Sequence, residues 1–123
     1  MHHPTCRFCL SNDLLIDRPL VRLDRFYLLG SIEPDRPAQA MIVPFRHIET
    51  PFDLDAEDWA ELGAALMQAK SLLAAFDPAG WTIGWNVGAV AGQEVFHAHL
   101  HVIARFKDEP TAGRGIHALF RTG

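Results

Sequence analysis

The sequence has few cysteines, few tyrosines and no long apolar run; many cysteines would mark a disulfide-rich protein, and a long apolar run would mark a membrane protein. It contains two cysteines, one tyrosine and no apolar run near the roughly 20 residues that span a bilayer. Its 15 acidic residues outnumber its 11 basic ones, for a formal net charge of −4. Without a basic excess there is no general attraction to nucleic acid or to anionic membranes. We therefore expect a soluble, cytoplasmic protein with no nucleic-acid or membrane partner.

The length of the chain suits one domain. At 123 residues, 49% of them hydrophobic, residues 1–123 can form a single globular domain with a real core. Cys6 and Cys9 are too close in sequence to staple a fold, and in a reducing compartment their spacing suggests metal or redox use. The tail over 107–123 is interrupted by proline and glycine, and we expect it to be irregular and ordered only by a partner surface.

Short apolar runs predict the strands of a sheet. Residues 20–23, 26–29 and 39–43 form three such runs, separated by charged residues and a stretch with two prolines. This pattern favours three strands of an antiparallel meander, and a fourth strand is predicted over 81–85.

One amphipathic helix is predicted between these strands. Asp53 or Asp55 can cap its start, and the sequence around Asp77 ends it after about five or six turns. The large apolar residues near helical spacing are Trp59, Leu62, Leu66, Leu73 and Phe76. Such a helix needs a sheet to cover, so we predict an α+β fold with an antiparallel five-stranded sheet packed by one long helix.

Three histidines alternate with apolar residues near the end of the chain. His97, His99 and His101 lie in the run over 93–105, which predicts the fifth strand and places all three rings on one face. A purely structural role is disfavoured, because aligning three titratable rings costs burial energy. Residues two apart on a strand are about 7 Å apart, so two of these rings can share a metal and all three hardly can.

The segment over 86–103 resembles the signature of the histidine triad (HIT) superfamily, in which a Gly-Gln pair precedes the alternating histidines. The segment over 41–48 is similar to the family's strand that ends in proline and a His-Ile pair. The resemblance implies a HIT-like α+β homodimer with its sheets joined across the interface. It also implies a nucleotidyl hydrolase or transferase that cleaves a nucleoside phosphoramidate or dinucleoside polyphosphate at the α-phosphorus, with a purine nucleotide or nucleotide-derived ligand.

The resemblance also assigns roles to individual residues. By its place in the motif His99 is the nucleophile, and a neutral imidazole can attack phosphorus if its other nitrogen donates to a backbone carbonyl. His101 and Gln93 complete the predicted catalytic set. Asn86, Gln93 and Glu94 are predicted to contact the substrate. For Asn86 and Gln93 the alternative is that each amide bridges the loop between the glycines of this motif.

Three positions depart from the family pattern. Gln39 stands where many members have a histidine, which shortens the histidine relay because an amide carries no charge. Ser31 stands where many members hold the ribose with an aspartate. Glu94 replaces a serine or threonine, and a carboxylate facing a phosphate is repulsive unless it is protonated. We still predict that Ser31 and Gln39 contact the substrate.

A second predicted site holds a metal. Four residues resemble the structural zinc ligands of bacterial family members with an N-terminal Cys-x-x-Cys: Cys6, Cys9, His47 and His97. Two thiolates and two imidazoles make a closed tetrahedral zinc site, which would hold residues 1–10 against the sheet and make His97 a ligand. The alternative is a pair of reduced thiols without metal.

Two other functions stay open. One is a nucleotide- or partner-binding module with little or no catalysis, consistent with Gln39 and Ser31. The other is a cupin-like metalloenzyme that uses the alternating histidines as metal ligands, which the long helix and the Gly-Gln pair disfavour.

Overall fold

The computed structural model describes residues 3–12, 19–30 and 38–120. The strands and the α-helix are β1 (Val21–Arg22), β2 (Phe26–Gly30), β3 (Gln39–Pro44), α1 (Ala56–Leu73), β4 (Gly80–Trp85) and β5 (Leu100–Arg105). Short 3₁₀ helices cover Leu10–Asn12, Pro51–Asp53, Ala74–Phe76, Ala89–Ala91 and Ile116–Phe120.

The five strands form one antiparallel sheet in the order β1-β2-β3-β5-β4. The predicted α+β fold, with a five-stranded sheet and one long helix, is confirmed. One face of the sheet packs against α1 through a cluster that includes Phe26, Leu28, Ile42, Leu100 and Val102. The opposite face packs against the N-terminal segment through a cluster that includes Phe8, Cys9, Tyr27, Leu29 and Val43. The sheet therefore separates an apolar helix layer from a layer that contains the cysteines.

The buried face of α1 includes Leu62 and Leu73 as expected, but the aromatic residues predicted near its two ends are not buried. Trp59 and Phe76, expected in the core, are 49% and 48% exposed, whereas Ala65 and Ala69 are fully buried. The small alanines allow the helix backbone to approach the sheet closely, which leaves no room for large side chains at that contact. Within the described part of the chain, no helix combines the length and apolar character needed to cross a membrane.

The histidine strand begins later than predicted, because β3 ends in proline. The register of β3 with β5 pairs Ile42 with Leu100, and its continuation would place Ala98 opposite Pro44. Proline has no N–H to donate to such a pair. Ala98 instead donates its N–H to the carbonyl of Ile48 (2.7 Å), and the strand starts at Leu100.

Hydrogen bonds from Arg105 hold the C-terminal tail as far as Arg114. The guanidinium of Arg105 donates to the carbonyls of Thr111 and Arg114 (2.7 Å each) and to the hydroxyl of Thr82 (2.9 Å). Its Nε donates to the carboxylate of Glu109. These bonds order turns after β5, so the expectation that only a partner surface orders the tail is wrong for residues 107–114.

A buried carboxylate joins the start of α1 to the sheet. Asp55 caps the helix in a capping box with Asp58, which is 1% exposed. Asp58 also forms ion pairs with Arg25 and Arg46, which lie beside β2 and β3. Burial alone would raise the pKa of Asp58, but the N–H of Asp55 and the two guanidinium groups outweigh it and lower the pKa. The charged form of Asp58 therefore stabilises the fold.

We expect Asp58→Asn to lower the free energy of unfolding by about 2 kcal/mol at pH 7, because it leaves two guanidinium groups without their buried partner. Urea unfolding measures this change. Glu57→Gln, at an exposed partner of Arg25, is the control and should cost less than about 0.5 kcal/mol. Because the folded pKa of Asp58 is below its ordinary value of 3.8, the wild type's advantage should persist at neutral pH and disappear as the pH falls through the folded pKa. Equal stability of the two variants at pH 7 would contradict this role.

Candidate functional site

His99 lies just before β5, nearly buried, with its ring held by a backbone group. Its Nδ1 is 2.8 Å from the carbonyl oxygen of His97. A carbonyl only accepts hydrogen bonds, so Nδ1 carries the proton. The other ring nitrogen, Nε2, then has a lone pair. This is the arrangement that the sequence analysis required of a nucleophilic imidazole.

The surroundings keep the His99 ring neutral. Burial lowers the pKa of His99, and the nearby positive charge of Arg7 lowers it further, against an opposing effect of the His97 carbonyl. Burial and the neighbouring His99 also lower the pKa of His101. Both rings are therefore uncharged at neutral pH. Arg7 was not among the predicted site residues, although its place inside the Cys-x-x-Cys motif brings a positive charge close to any site that the cysteines join.

Aromatic contacts fix the relative positions of the histidine rings. The ring of Phe8 meets the ring of His99 edge-on at 5.0 Å between centroids, and it meets the ring of His97 at 6.1 Å. The ring centroids of His101 and His99 are 4.9 Å apart. The three histidines thus lie on one side of the chain, as the alternation predicted, although only His101 is within β5.

Gln93 bridges the loop between β4 and β5. Its side-chain oxygen accepts the N–H of Gly88 (2.8 Å), and its amide nitrogen donates to the carbonyls of Glu49 and Val95 (2.8 and 3.1 Å). Its own backbone N–H donates to the carbonyl of Gly88 (3.1 Å). The loop depends on positive φ angles at Gly88 and Gly92. This geometry favours the bridging alternative for Gln93; its catalytic role stays a prediction.

The other predicted substrate contacts lie around this loop. Asn86 and Glu94 are exposed at its two ends. Gln39 pairs with Ile103, two residues from the pair of Met41 with His101. Side chains paired across antiparallel strands share a face, so Gln39 is on the histidine face. Ser31 lies outside the described residues.

The two cysteines, His47 and His97 form a compact cluster on the same side of the sheet. Their four ligand atoms all lie within 4.8 Å of one another. Nδ1 of His97 is 3.3 Å from Sγ of Cys6 and 3.5 Å from Sγ of Cys9. Nδ1 of His47 is 3.3 Å from Sγ of Cys9. In a tetrahedral zinc site the sulfur and nitrogen ligands are about 3.6 Å apart, so these separations fit a metal.

The protonation of His97 also fits a metal ligand. Its Nε2 is 2.7 Å from the carbonyl oxygen of Pro44, which places the proton on that nitrogen and a lone pair on Nδ1, facing the thiols. Burial is the main cause that lowers the pKa of His97 to about 4. Burial and the charge of His3 lower the pKa of His47. Both cysteines are free of disulfides, so this group could bind a metal ion.

Comparison with known proteins agrees with the class that this fold and site define. The family model of the HIT domain matches residues 17–108, well over half of the chain, and the chain belongs to this family.

Two curated relatives extend this comparison. The chain is similar to an uncharacterized HIT-like protein from Mycoplasma genitalium, 32% identical over 78 residues, which are 60% of this chain and 53% of that protein. It is also similar to an AP-4-A phosphorylase from Mycobacterium tuberculosis, 32% identical over 82 residues, which are 65% of this chain and 42% of that enzyme. The chain thus spans about half the length, or less, of these two relatives.

Solved structures show the same fold. A HIT family protein from Bacillus anthracis superposes with a TM-score of 0.77 at 24% identity, covering 96% of this chain and 86% of that one. A Zn-bound histidine triad family protein from Mycobacterium smegmatis superposes with a TM-score of 0.74 at 24% identity, covering 90% of this chain and 82% of that one. At 24% identity these similarities show a shared fold and no more.

Gln93→Ala should lower the free energy of unfolding by about 2–3 kcal/mol, because it removes the partner of one buried N–H and of two carbonyls. The measurement is urea unfolding. Glu94→Ala, at the exposed neighbouring position, should change stability by less than about 0.5 kcal/mol. If the two variants lose the same stability, Gln93 does not bridge the loop in solution.

Proposed function

We propose that this protein is a nucleotidyl hydrolase or transferase that forms a covalent nucleotidyl intermediate on His99. One observation carries the proposal: Nδ1 of His99 donates to the His97 carbonyl, which leaves Nε2 with a lone pair. The burial that lowers the pKa of His99 keeps the ring uncharged. A neutral, oriented imidazole is a competent nucleophile toward phosphorus.

The reaction proceeds in two steps. Nε2 of His99 attacks the α-phosphorus of a nucleotide, and the bond from phosphorus to the leaving nitrogen or oxygen breaks. The leaving group departs with the bonding electron pair and takes a proton from water. A water molecule then attacks the phosphorus, the Nε2–P bond breaks, and a nucleoside monophosphate and a proton are released.

The site supplies donors for the charged phosphoryl group. His101 is next to His99, and the amide of Asn86 lies at the start of the loop that Gln93 holds. Donors placed in advance stabilise charge that develops in the transition state. We assign His101 and Asn86 to the phosphate and Gln93 to the shape of the loop. Ser31, Gln39 and Glu94 remain our candidates for other parts of the substrate.

The substrate we propose is a purine nucleoside phosphoramidate or a dinucleoside polyphosphate. Similarity to an AP-4-A phosphorylase supports a substrate derived from a nucleotide. Both candidate substrates carry the α-phosphorus that His99 would attack, and they differ in the charge and size of the leaving group.

The metal we propose is a structural zinc ion held by the four-residue cluster described above. The donor set of two thiolates and two imidazoles is the one that zinc prefers when no position is open to water. When bound, the ion would supply cross-linking between the N-terminal segment and the sheet rather than Lewis-acid chemistry. Thiols kept free for a metal suit a reducing compartment, which supports a cytoplasmic location.

We also propose that residues 1–123 act as one domain within a homodimer. β4 is the last strand in the sheet order, and Ile83 at its centre is 41% exposed. An edge strand presents N–H and C=O groups that a second chain can pair with. Joining two sheets through β4 would satisfy these groups and cover Ile83.

A second candidate function is a nucleotide-binding module with little catalysis. The observation that favours it is Gln39, which lies on the histidine face and cannot carry charge. This candidate predicts nucleotide binding without release of monophosphate.

His99→Ala should abolish release of nucleoside monophosphate from adenosine phosphoramidate, diadenosine polyphosphates and guanosine analogues, because it removes the nitrogen that attacks phosphorus. Chromatography of the products measures the loss, which should be at least about 10³-fold. His117→Ala, in the exposed tail, is the matched control and should retain wild-type turnover. Turnover by His99→Ala would contradict the covalent mechanism, and tight nucleotide binding without any turnover by the wild type would favour the binding module.

Protein purified without chelator should contain one zinc ion per chain by elemental analysis. Cys9→Ser should lose the metal and unfold at a lower temperature, because a buried thiolate ligand is gone. Ser11→Ala, two residues away in the same segment, should keep both the metal and the melting temperature. Full zinc occupancy in Cys9→Ser, or no zinc in the wild type, would rule out this site.

A further inference from the structure

The turn Cys6-Arg7-Phe8-Cys9 contributes to the metal cluster and to the histidine site at the same time. Its two thiols face Nδ1 of His97. Between them, Phe8 is 2% exposed, and its ring lies nearly perpendicular to the ring of His99 with 5.0 Å between their centroids. The backbone of the turn is fixed as well, because the hydroxyl of Tyr27 donates to the Phe8 carbonyl (2.7 Å). A metal bound by the thiols would therefore also fix the position of the Phe8 ring.

His97 connects the two sites by a second route. Its Nε2 already donates to the carbonyl of Pro44, and a metal bound to its Nδ1 would restrain the second ring nitrogen as well. The carbonyl of the same residue accepts the Nδ1–H of His99. Restraining the ring of His97 thus restrains the carbonyl that sets the tautomer of His99.

We propose that metal binding at the cysteine cluster positions His99 for attack, and that Phe8 is a positioning residue which transmits this effect. The inference rests on the proposed function of His99. This positioning role differs from a purely structural one, because the orientation of the His99 imidazole would depend on whether the metal site is occupied. Phe8 acts through His99, because its ring occupies space next to the His99 ring into which that ring could otherwise tilt.

The size of the effect follows from the demands of in-line attack. Displacing a reacting group by about 1 Å can lower a rate by about 100-fold. Loss of the Phe8 ring allows the ring of His99 to tilt, which weakens its hydrogen bond to the His97 carbonyl and lets the proton exchange between the two ring nitrogens. We therefore expect kcat to fall by about 10- to 100-fold, with KM changed by less than about threefold.

The test compares Phe8→Leu with Phe26→Leu. Both replace a buried phenylalanine by leucine, but Phe26 lies in the cluster that packs on α1, on the other face of the sheet. Each variant is measured for zinc per chain, for kcat and KM, and for the ring nitrogens of His99 by long-range ¹H–¹⁵N NMR. The His99 signals are assigned by their loss in His99→Ala. The same NMR measurement is made on wild-type protein before and after removal of zinc by a chelator, with circular dichroism as the check on the fold.

The expected result is a single His99 tautomer, protonated at Nδ1, in zinc-loaded wild type and in Phe26→Leu. Phe8→Leu with full zinc, and wild type without zinc, should each give averaged ring-nitrogen shifts. In Phe8→Leu the loss should be in kcat. Unchanged His99 shifts in both cases, or equal kcat losses in the two variants, would overturn the coupling. If the shifts change as expected while the wild type releases no nucleotide, the coupling stands and the proposed activity fails.

Discussion

Pro44 ends the hydrogen-bond ladder between the two central strands, because it has no N–H to donate across to the chain that follows the loop. Two backbone carbonyls near this break, those of Pro44 and His97, accept hydrogen bonds from imidazoles instead. They place the proton on Nε2 of His97 and on Nδ1 of His99. Two histidines separated by one residue thus have opposite tautomers, and one suits a metal while the other suits attack on phosphorus.

The two faces of the sheet differ in composition, and the cysteines and histidines lie on only one of the two. The face under α1 is apolar, and the buried charge near it, Asp58, is satisfied by its capping box and two arginines. The other face combines Cys9, Phe8 and the histidines. Burial there lowers the pKa of His97 and His99, so the same desolvation that the core requires also keeps these rings neutral.

Local sequence patterns predicted much of this arrangement. The alternation of histidines predicted a shared face, and the spacing of short apolar runs predicted the sheet, because both depend on the two-residue period of a strand. The start of β5 depends on a residue of another strand, Pro44, and could not be read from the histidine segment alone. The burial of Ala65 in place of Trp59 also depends on how closely α1 approaches the sheet, which no helical periodicity contains.

The sequence predicted which residues form the candidate site better than it predicted the hydrogen bonds that hold them. Cys6, Cys9, His47 and His97 come together as the resemblance implied. The bond from the Gln93 side chain to the carbonyl of Glu49 could not be foreseen, because that partner lies 44 residues away in the chain. The order of the tail likewise follows from the five donors of a single guanidinium, that of Arg105, whose partners only the fold reveals.

The distance along the chain between the cysteines and their partner has a consequence for biosynthesis. Cys6 and His97 are 91 residues apart. At a translation rate of about 5–20 residues per second, the cysteines precede His97 by roughly 5 to 20 s. During that interval the nascent chain holds two thiols without the full set of ligands. Binding of the proposed metal would therefore be completed only after His97 is synthesised, and until then the two thiols would be open to oxidation.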